Sequence, residues 1–87
     1  MPLPSADTPL SQHSLPALEQ WLKESGCRRD ARDPCLWKLS QPRWHAELCL
    51  EVEEIEVRWT SAEGSSLRAF SYGLSRADVE RAILAGP

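Results

Sequence analysis

The stretch Trp44-His-Ala-Glu-Leu-Cys-Leu-Glu-Val52 decides the fold, because its apolar and polar residues alternate without interruption. This two-residue period is typical of a β-strand with one face in the core and the other in solvent. After Glu53-Glu54 the apolar positions are Ile55, Val57 and Trp59. The parity of the inward-facing residues therefore changes, and a tight turn at 53–54 that places Val52 opposite Ile55 explains the change. A β-bulge at the same place would explain it equally well.

The chain on both sides of this hairpin predicts further strands and two helices. Short alternating runs predict strands at 35–39 and 67–74. A serine N-cap precedes each helical pattern, at Ser14 for a helix over 15–25 and at Ser75 for a helix that ends at Ala85. The sequence thus predicts an α+β fold in the order α-β-β-β-β-α. We expect an antiparallel meander of three or four strands, with the N-terminal and C-terminal helices packed on one face.

The length of 87 residues is sufficient for one small domain. Residues 1–13 contain three prolines and no periodic pattern, so they predict an extended arm ahead of a domain over residues 14–87. Four tryptophans, against one Phe and one Tyr, provide core volume for this small chain. Trp44 starts its strand beside Pro42, which makes it the best candidate of the four for partial exposure, although a core position is the favoured interpretation.

Composition disfavours several classes of protein. No apolar run approaches the roughly 18 residues of a membrane-spanning helix, and the N-terminus lacks the pattern of a secretory signal, so a cytoplasmic location is expected. Cys27, Cys35 and Cys49 form no C-x-x-C motif, which argues against zinc-finger and thioredoxin-like sites. Free thiols are expected, although the spacing also permits a Cys27–Cys35 disulfide.

The sequence provides no constellation for catalysis. His13 and His45 are its histidines, and His45 would lie about 13 Å from Cys49 along the same strand, too far for a nucleophile–base pair. Its glycines are spread over turns and caps and form no phosphate-binding loop. We therefore predict a protein that is not an enzyme and has no cofactor, metal or catalytic residue.

An acidic hairpin is the first candidate site. Between residues 45 and 58 there are five glutamates and one arginine. Four of the glutamates are expected on the sheet face away from the helices: Glu47, Glu51, Glu54 and Glu56. A tight turn at residues 53–54 would place Glu51 opposite Glu56. Like charges at opposed positions destabilise a sheet by up to about 1 kcal/mol. We interpret these residues, with Trp44, as a docking face for a basic protein partner. A solvated face that keeps the sheet soluble and a weak divalent-cation site are the alternatives.

A basic segment is the second candidate site. Residues 27–44 contain five basic side chains and two aspartates. The basic residues are Arg28, Arg29, Arg32, Lys38 and Arg43. They suggest an RNA- or ribosome-associated protein, although a net charge of −3 disfavours a general nucleic-acid binder. A solvated connector is the alternative interpretation. A monomer or a weak homo-oligomer, joined for example at a sheet edge, is expected in either case.

Several stretches resemble a family of small proteins from cyanobacteria and plastids that is classified as a domain of unknown function. The matching stretches are Thr8-Pro-Leu10, Leu15–Leu22, Trp44–Leu48, Glu51–Arg58, Phe70–Glu80 and Ala85-Gly-Pro87. The resemblance implies a photosynthetic cell, with the protein in the cytosol or the plastid stroma. It assigns no catalytic residue, and it is consistent with a small assembly or regulatory factor.

Overall fold

The computed structural model describes residues 3–87 and contains two helices and a five-stranded antiparallel sheet. The elements are α1 (Leu15–Glu24), β1 (Arg28–Arg29), β2 (Leu36–Ser40), β3 (Trp44–Leu50), β4 (Glu54–Ser61), β5 (Gly64–Ser71) and α2 (Arg76–Ala85). The strands lie side by side in chain order. The α+β class and the helix–strands–helix order are therefore confirmed, while the sheet has five strands where three or four were predicted.

The register of the central hairpin differs by two residues from the sequence prediction. Leu50 pairs with Ile55, and the turn is formed by Val52 and Glu53. The Glu51 N–H donates to the Glu54 carbonyl at 2.9 Å, which closes the base of this turn. Glu51 therefore does not lie opposite Glu56, and the predicted pairing of these two glutamates is wrong. Val52, expected on the inner face, instead lies at the tip of the turn.

The two outer strands also depart from the predicted boundaries. The polar segment 27–34 contributes strand β1, because Arg28 and Arg29 pair with Lys38 and Trp37 of β2. Strand β5 begins at Gly64, inside the predicted loop, since residues 62–63 alone make the turn from β4. It ends at Ser71, so the predicted end at Leu74 is too late. Backbone pairing with β2 and with β4 therefore adds strand residues, at 28–29 and at 64–66, that the apolar pattern does not indicate.

The predicted caps begin both helices. The Ser14 hydroxyl accepts a hydrogen bond from the Ala17 N–H at 3.2 Å, and Pro16 occupies the first turn of α1, where its missing N–H has no helical partner to lose. The Ser75 hydroxyl accepts in the same way from the Asp78 N–H at 3.2 Å. The two helices thus begin where local side-chain chemistry satisfies their first backbone donors.

A single hydrophobic core lies between the helices and one face of the sheet. The buried residues of α1 and α2 include Trp21, Leu22, Val79 and Ile83. The sheet contributes Trp37, Leu39, Ala46, Leu48, Ile55, Val57, Trp59 and Phe70, which are the alternate residues of each strand. Both helices therefore cover the same face, and the opposite face is free of helices. Three tryptophans are buried, and Trp44 is half-buried against the core, so of the four it is the one that is partly exposed.

The N-terminal arm docks on the start of α2. Leu10 is buried in the core, within a short 3-10 helix, Leu10–Gln12, that the sequence did not predict. The Arg76 and Ala77 N–H groups donate to the carbonyls of Thr8 and Ala6. The first two residues of the predicted arm, 1–2, lie outside the described residues. Within residues 3–87, no helix has the length and apolar character needed to cross a membrane.

Candidate docking surface

The face of the sheet opposite the helices, here called the uncovered face, carries a row of four charges across β1 to β4 that ends at a leucine on β5. The strand register places these residues side by side: Arg28, Lys38, Glu47, Arg58 and Leu67. Glu47 is thus directly flanked by Lys38 and Arg58. Opposite charges at paired positions stabilise a sheet, so this register favours Glu47, although Lys38 forms its ion pair with Asp30. It differs in this from Glu56, whose register partners are Cys49 and Ala69.

A neighbouring row is mainly apolar and forms a shallow depression. The register aligns Leu36, Cys49, Glu56 and Ala69 across β2 to β5. The depression has a volume of about 250 Å³. It is lined by Leu36, Glu47, Cys49, Glu56, Arg58 and Leu67. Leu67 is 56% exposed although it lies in the middle of a strand. The uncovered face therefore offers apolar contact area bordered by charges of both signs.

The end of the uncovered face at the β3–β4 turn is strongly acidic. Here the glutamates 51, 53, 54 and 56 surround Val52, whose side chain is 92% exposed, and together they line a concavity of about 460 Å³. We call these five residues the acidic turn. The ion pairs formed among residues 3–87 include none of its four carboxylates. The acidic turn thus presents an unneutralised negative field around an apolar tip.

Two side chains anchor the acidic turn to the rest of the sheet. The Cys49 thiol donates to Glu51 Oε1 at 3.2 Å, and the Tyr72 hydroxyl donates to the Glu51 carbonyl. Burial, together with the adjacent Glu51 carboxylate, raises the pKa of the Cys49 thiol to about 11. Burial and the same carboxylate also raise the pKa of Tyr72. Both groups keep their protons at neutral pH and hold Glu51 as hydrogen-bond donors.

The structure separates the predicted basic patch into parts. Arg29 turns to the helix side, where it pairs with Glu19 and lies over the Trp37 ring at 4.8 Å from the ring centre. Lys38 pairs with Asp30 at 3.2 Å. Arg28 and Arg32 are exposed, on β1 and in the turn that follows it. Two of the five cations are thus engaged by carboxylates.

Asp30 organises the turn between β1 and β2. Its carboxylate accepts the backbone N–H groups of Arg32 at 2.9 Å and Asp33 at 2.8 Å. These backbone hydrogen bonds, with Lys38 as a further contributor, lower the pKa of Asp30. The turn that carries Arg32 therefore has a charged acid at its centre, which reduces the local positive field.

Arg43 and Trp44 lie at the opposite end of the sheet from the acidic turn. They border a concavity of about 470 Å³ between the β2–β3 and β4–β5 turns, lined also by Pro42, Ala62 and Pro87. Trp44 and Glu51 are seven positions apart along an extended chain, a span of roughly 20 Å. Trp44 also projects toward the helix side, where its ring meets Gly86. The structure therefore brings neither residue together with its predicted partners.

The three cysteines do not pair with one another. Cys27, Cys35 and Cys49 are free, so the Cys27–Cys35 disulfide is not formed. Burial raises the pKa of the Cys27 thiol to about 11. Across residues 3–87, no group of three or more His, Cys, Asp or Glu side chains is placed to hold a metal ion.

Sequence reasoning missed the apolar part of the surface. Leu36 and Leu67 lie on the uncovered face because they alternate with the buried Trp37 and Phe70. Their parity relative to these aromatic residues is visible in the sequence and indicates an outward leucine on each strand. Val52 was assigned to the wrong side because its exposure depends on the position of the turn.

Fold and surface define a class: a small α+β domain whose antiparallel sheet is covered by helices on one face and open on the other. The chain belongs to a family described as protein of unknown function (DUF3143), whose model matches residues 25–86. The match spans all five strands and the whole of α2. Comparison with curated proteins and with solved structures finds no match.

Proposed function

We propose that this protein is a non-enzymatic protein-interaction module, a small assembly or regulatory factor, that binds a basic partner protein through the acidic turn. The observation that carries the proposal is the exposure of Val52 at 92% in the midst of four glutamates that take part in none of the ion pairs of residues 3–87. An exposed aliphatic side chain ringed by unpaired carboxylates suits a partner segment that combines lysine or arginine with apolar residues.

The apolar depression extends this surface. Leu36, Cys49 and Leu67 lie next to the acidic turn on the same face, and Glu56 borders both features. A partner that places cations on the acidic turn would therefore also remove apolar area from water. Charges at the rim of an interface mainly govern association rate and selectivity, while apolar contacts contribute more of the affinity.

The chemistry of the cysteines supports a role without catalysis. Thiolate is the reactive form of cysteine, and a pKa of about 11 keeps Cys27 and Cys49 protonated at neutral pH. Neither residue has a histidine among its hydrogen-bond partners in residues 3–87. We expect the protein to act by binding, in the cytosol or plastid stroma of a photosynthetic cell as its family resemblance implies.

The RNA- or ribosome-associated alternative has less support. Phosphate binding requires several free cations on one surface. Here Arg29 and Lys38 are paired with carboxylates, and Arg43 lies in a separate turn. Of the five predicted basic residues, Arg28 and Arg32 are the two that lie near the same sheet edge, are exposed and form no ion pair within residues 3–87.

The proposal is tested by capture of partners with three forms of the tagged protein, expressed in a photosynthetic cell. One is the wild type, one carries Glu51→Lys with Glu53→Lys, and the matched control carries Glu63→Lys. Glu63 is an exposed turn glutamate at the other end of the sheet. We expect one protein to be retained by the wild type and the control, lost from the double variant, and weakened by added salt.

Direct binding then requires the purified partner, titrated into the same three proteins. Reversal of the acidic turn should raise the dissociation constant by about ten-fold or more, and Glu63→Lys should change it less than two-fold. Equal affinity for all three proteins would contradict the proposal. Recovery of RNA in place of protein, lost when Arg28 and Arg32 are both replaced by Ala, would favour the alternative.

A further inference from the structure

Strand β5 forms a long, open edge of the sheet. It is the last strand in the sheet order and pairs only with β4, through an unbroken eight-residue register. Residues 64–69 are all exposed. Among the described residues outside the sheet, only Leu74 forms a backbone hydrogen bond with β5: its N–H donates to the Ser71 carbonyl. The rest of the outer edge of β5 has no backbone partner in the described chain.

The pairing pattern identifies which backbone groups point away from the sheet. The Tyr72 N–H donates to the Glu53 carbonyl at 3.4 Å, which continues the β4–β5 ladder. Because inward and outward bonding alternates along an antiparallel strand, the even-numbered residues of β5 bond to β4. The N–H and C=O groups of Ser65, Leu67, Ala69 and Ser71 therefore point outward, away from β4.

The opposite edge of the sheet is protected in ways that β5 is not. Strand β1 has only two residues, both arginines, and the chain turns away at Asp30. Short strands, charges, prolines and bulges are the usual devices that prevent strands from pairing at an edge. Strand β5 contains no proline and no bulge, and its single charge, Arg68, lies over the Phe70 ring at 4.9 Å from the ring centre.

We propose that two copies of this chain pair through β5 in an antiparallel, two-fold symmetric dimer centred on Leu67. In this register Leu67 faces the same residue of the second copy, Ser65 faces Ala69, and Ser66 faces Arg68. All the outward backbone groups of Ser65, Leu67 and Ala69 find partners, as an isologous interface requires. The two sheets would join into one of ten strands.

The side chains favour a second copy over other occupants. On the uncovered face, β5 presents Ser65, Leu67, Ala69 and Ser71, so the pairing brings leucine against leucine with no charge between them. On the helix side, the same register sets the cation Arg68 against the neutral Ser66. A register centred on Arg68 would satisfy the same backbone groups but would oppose two arginines directly, which disfavours it.

The dimer would double the apolar part of the uncovered face. The two exposed Leu67 side chains would meet at the symmetry axis, with a depression lined by Leu36 and Cys49 on each side. The two acidic turns would remain free. An interface of one strand pair is small, so we expect association that depends on protein concentration. This inference depends on the geometry of β5 alone and stands whether or not the acidic turn binds a partner.

Sedimentation equilibrium over a wide concentration range tests the proposal. The wild-type protein should shift from the monomer mass toward twice that mass as its concentration rises from about 10 μM to about 1 mM. Ala69→Pro removes one outward N–H while sparing the bonds to β4, since proline is tolerated where an edge strand has no partner. The dissociation constant of the dimer should be about ten-fold or more higher for this variant than for the wild type. Its circular dichroism spectrum should be like that of the wild type.

Complementary charges at position 67 test the register. Leu67→Lys and Leu67→Glu should each be monomeric, because like charges would face each other across the axis. An equimolar mixture of the two variants should recover a heterodimer. The matched control is Leu84→Lys, which replaces an exposed leucine of α2 and should leave the dimer intact.

Three results would overturn the proposal, and the first two concern the oligomeric state. One is a wild-type protein that remains monomeric up to about 1 mM. The other is a dimer that persists in Ala69→Pro and in both single Leu67 variants, which would place the interface on another surface. Binding of an unrelated β-strand peptide at this edge, with the wild type monomeric, would identify a different occupant and also overturn it.

Discussion

Glu47 on β3 lies directly opposite Arg58 on β4, and Lys38 flanks the same glutamate from β2. Glu47 is thus the one glutamate of the hairpin that has a cation in register on both neighbouring strands. The remaining four glutamates gather at the turn. This arrangement follows from the register of the hairpin, and it distinguishes a glutamate that lies between two cations from glutamates that do not.

Reversal of Glu47 should therefore destabilise the fold more than reversal of Glu56. Glu47→Lys would place a cation between Lys38 and Arg58, and we expect the free energy of unfolding to fall by about 1 kcal/mol. Glu56 lies opposite the uncharged Cys49 and Ala69, so Glu56→Lys should change the free energy of unfolding by less than about 0.5 kcal/mol. Urea denaturation of both variants measures the difference. The opposite ranking would contradict the observed register.

The contact between the two helices provides a second prediction. The Glu80 carboxylate of α2 accepts hydrogen bonds from Trp21 Nε1 at 2.9 Å and from the Ser25 hydroxyl at 3.3 Å. Glu80→Ala would leave the indole N–H of a buried tryptophan without a partner, at a cost of about 1–3 kcal/mol. Glu80→Gln keeps an acceptor oxygen and should lose less.

Thermal unfolding monitored by circular dichroism can rank these variants. The control is Asp78→Ala, which removes an exposed acid of the same helix that pairs with Arg81 at 3.6 Å. This change should have little effect beyond about 0.5 kcal/mol. Equal destabilisation by Glu80→Ala and Asp78→Ala would show that the Trp21 contact does not contribute as described.

The packing of Trp44 against the end of α2 leads to a third prediction. A Cβ at Gly86 would lie 2.6 Å from Trp44 Nε1, and Gly86 has a φ of +85°, which side chains rarely adopt. Gly86→Ala should displace the Trp44 ring and destabilise the protein by about 1 kcal/mol. In a ¹H–¹⁵N spectrum, the Trp44 indole signal should move while those of Trp37 and Trp59 stay in place.

A matched glycine distinguishes this contact from a general effect of alanine. At Gly73 the nearest atom to a Cβ would be the Ser71 hydroxyl oxygen at 3.4 Å. Gly73→Ala should therefore leave all four indole signals near their original positions. Movement of every tryptophan signal in Gly86→Ala would indicate a global change and contradict a local displacement of Trp44.

The thiols give a prediction with a defined pH dependence. Burial raises the pKa of Cys27 from 9.0 to about 11, so the folded state favours the protonated thiol. The corresponding stability is complete below pH 9 and is lost as the pH rises from about 9 to about 11. The free energy of unfolding should thus fall more steeply over that range in the wild type than in Cys27→Ala.

Alkylation followed by mass spectrometry provides an independent measurement. Cys35 is exposed and should be modified first at pH 8, while Cys27 and Cys49 react slowly until the pH approaches about 11. Rapid modification of Cys27 at pH 8 would contradict its burial. Cys35→Ser should remove the fast phase and leave the two slow ones unchanged.

The features predicted correctly from the sequence depend on local interactions. The caps at Ser14 and Ser75 act within a single helical turn, and the alternation from Trp44 to Leu50 concerns neighbours along one strand. The position of the β3–β4 turn was missed because Glu-Val-Glu-Glu lacks the Asn or Gly that usually marks a tight turn. Strand β1 was missed because two arginines have no apolar period, and pairing with β2 alone makes them a strand.

The sequence by itself determined the class of fold and the side of the sheet on which each central residue lies, because both depend on the spacing of apolar residues along the chain. Only the tertiary structure decided which residues are neighbours across strands. A shift of two residues keeps every side chain within the strands on its own face and changes only the residues of the turn, so the apolar pattern of the strands is the same in either register. That shift separates Glu51 from Glu56, pairs Glu47 with Arg58 and exposes Val52 at the tip of the acidic turn.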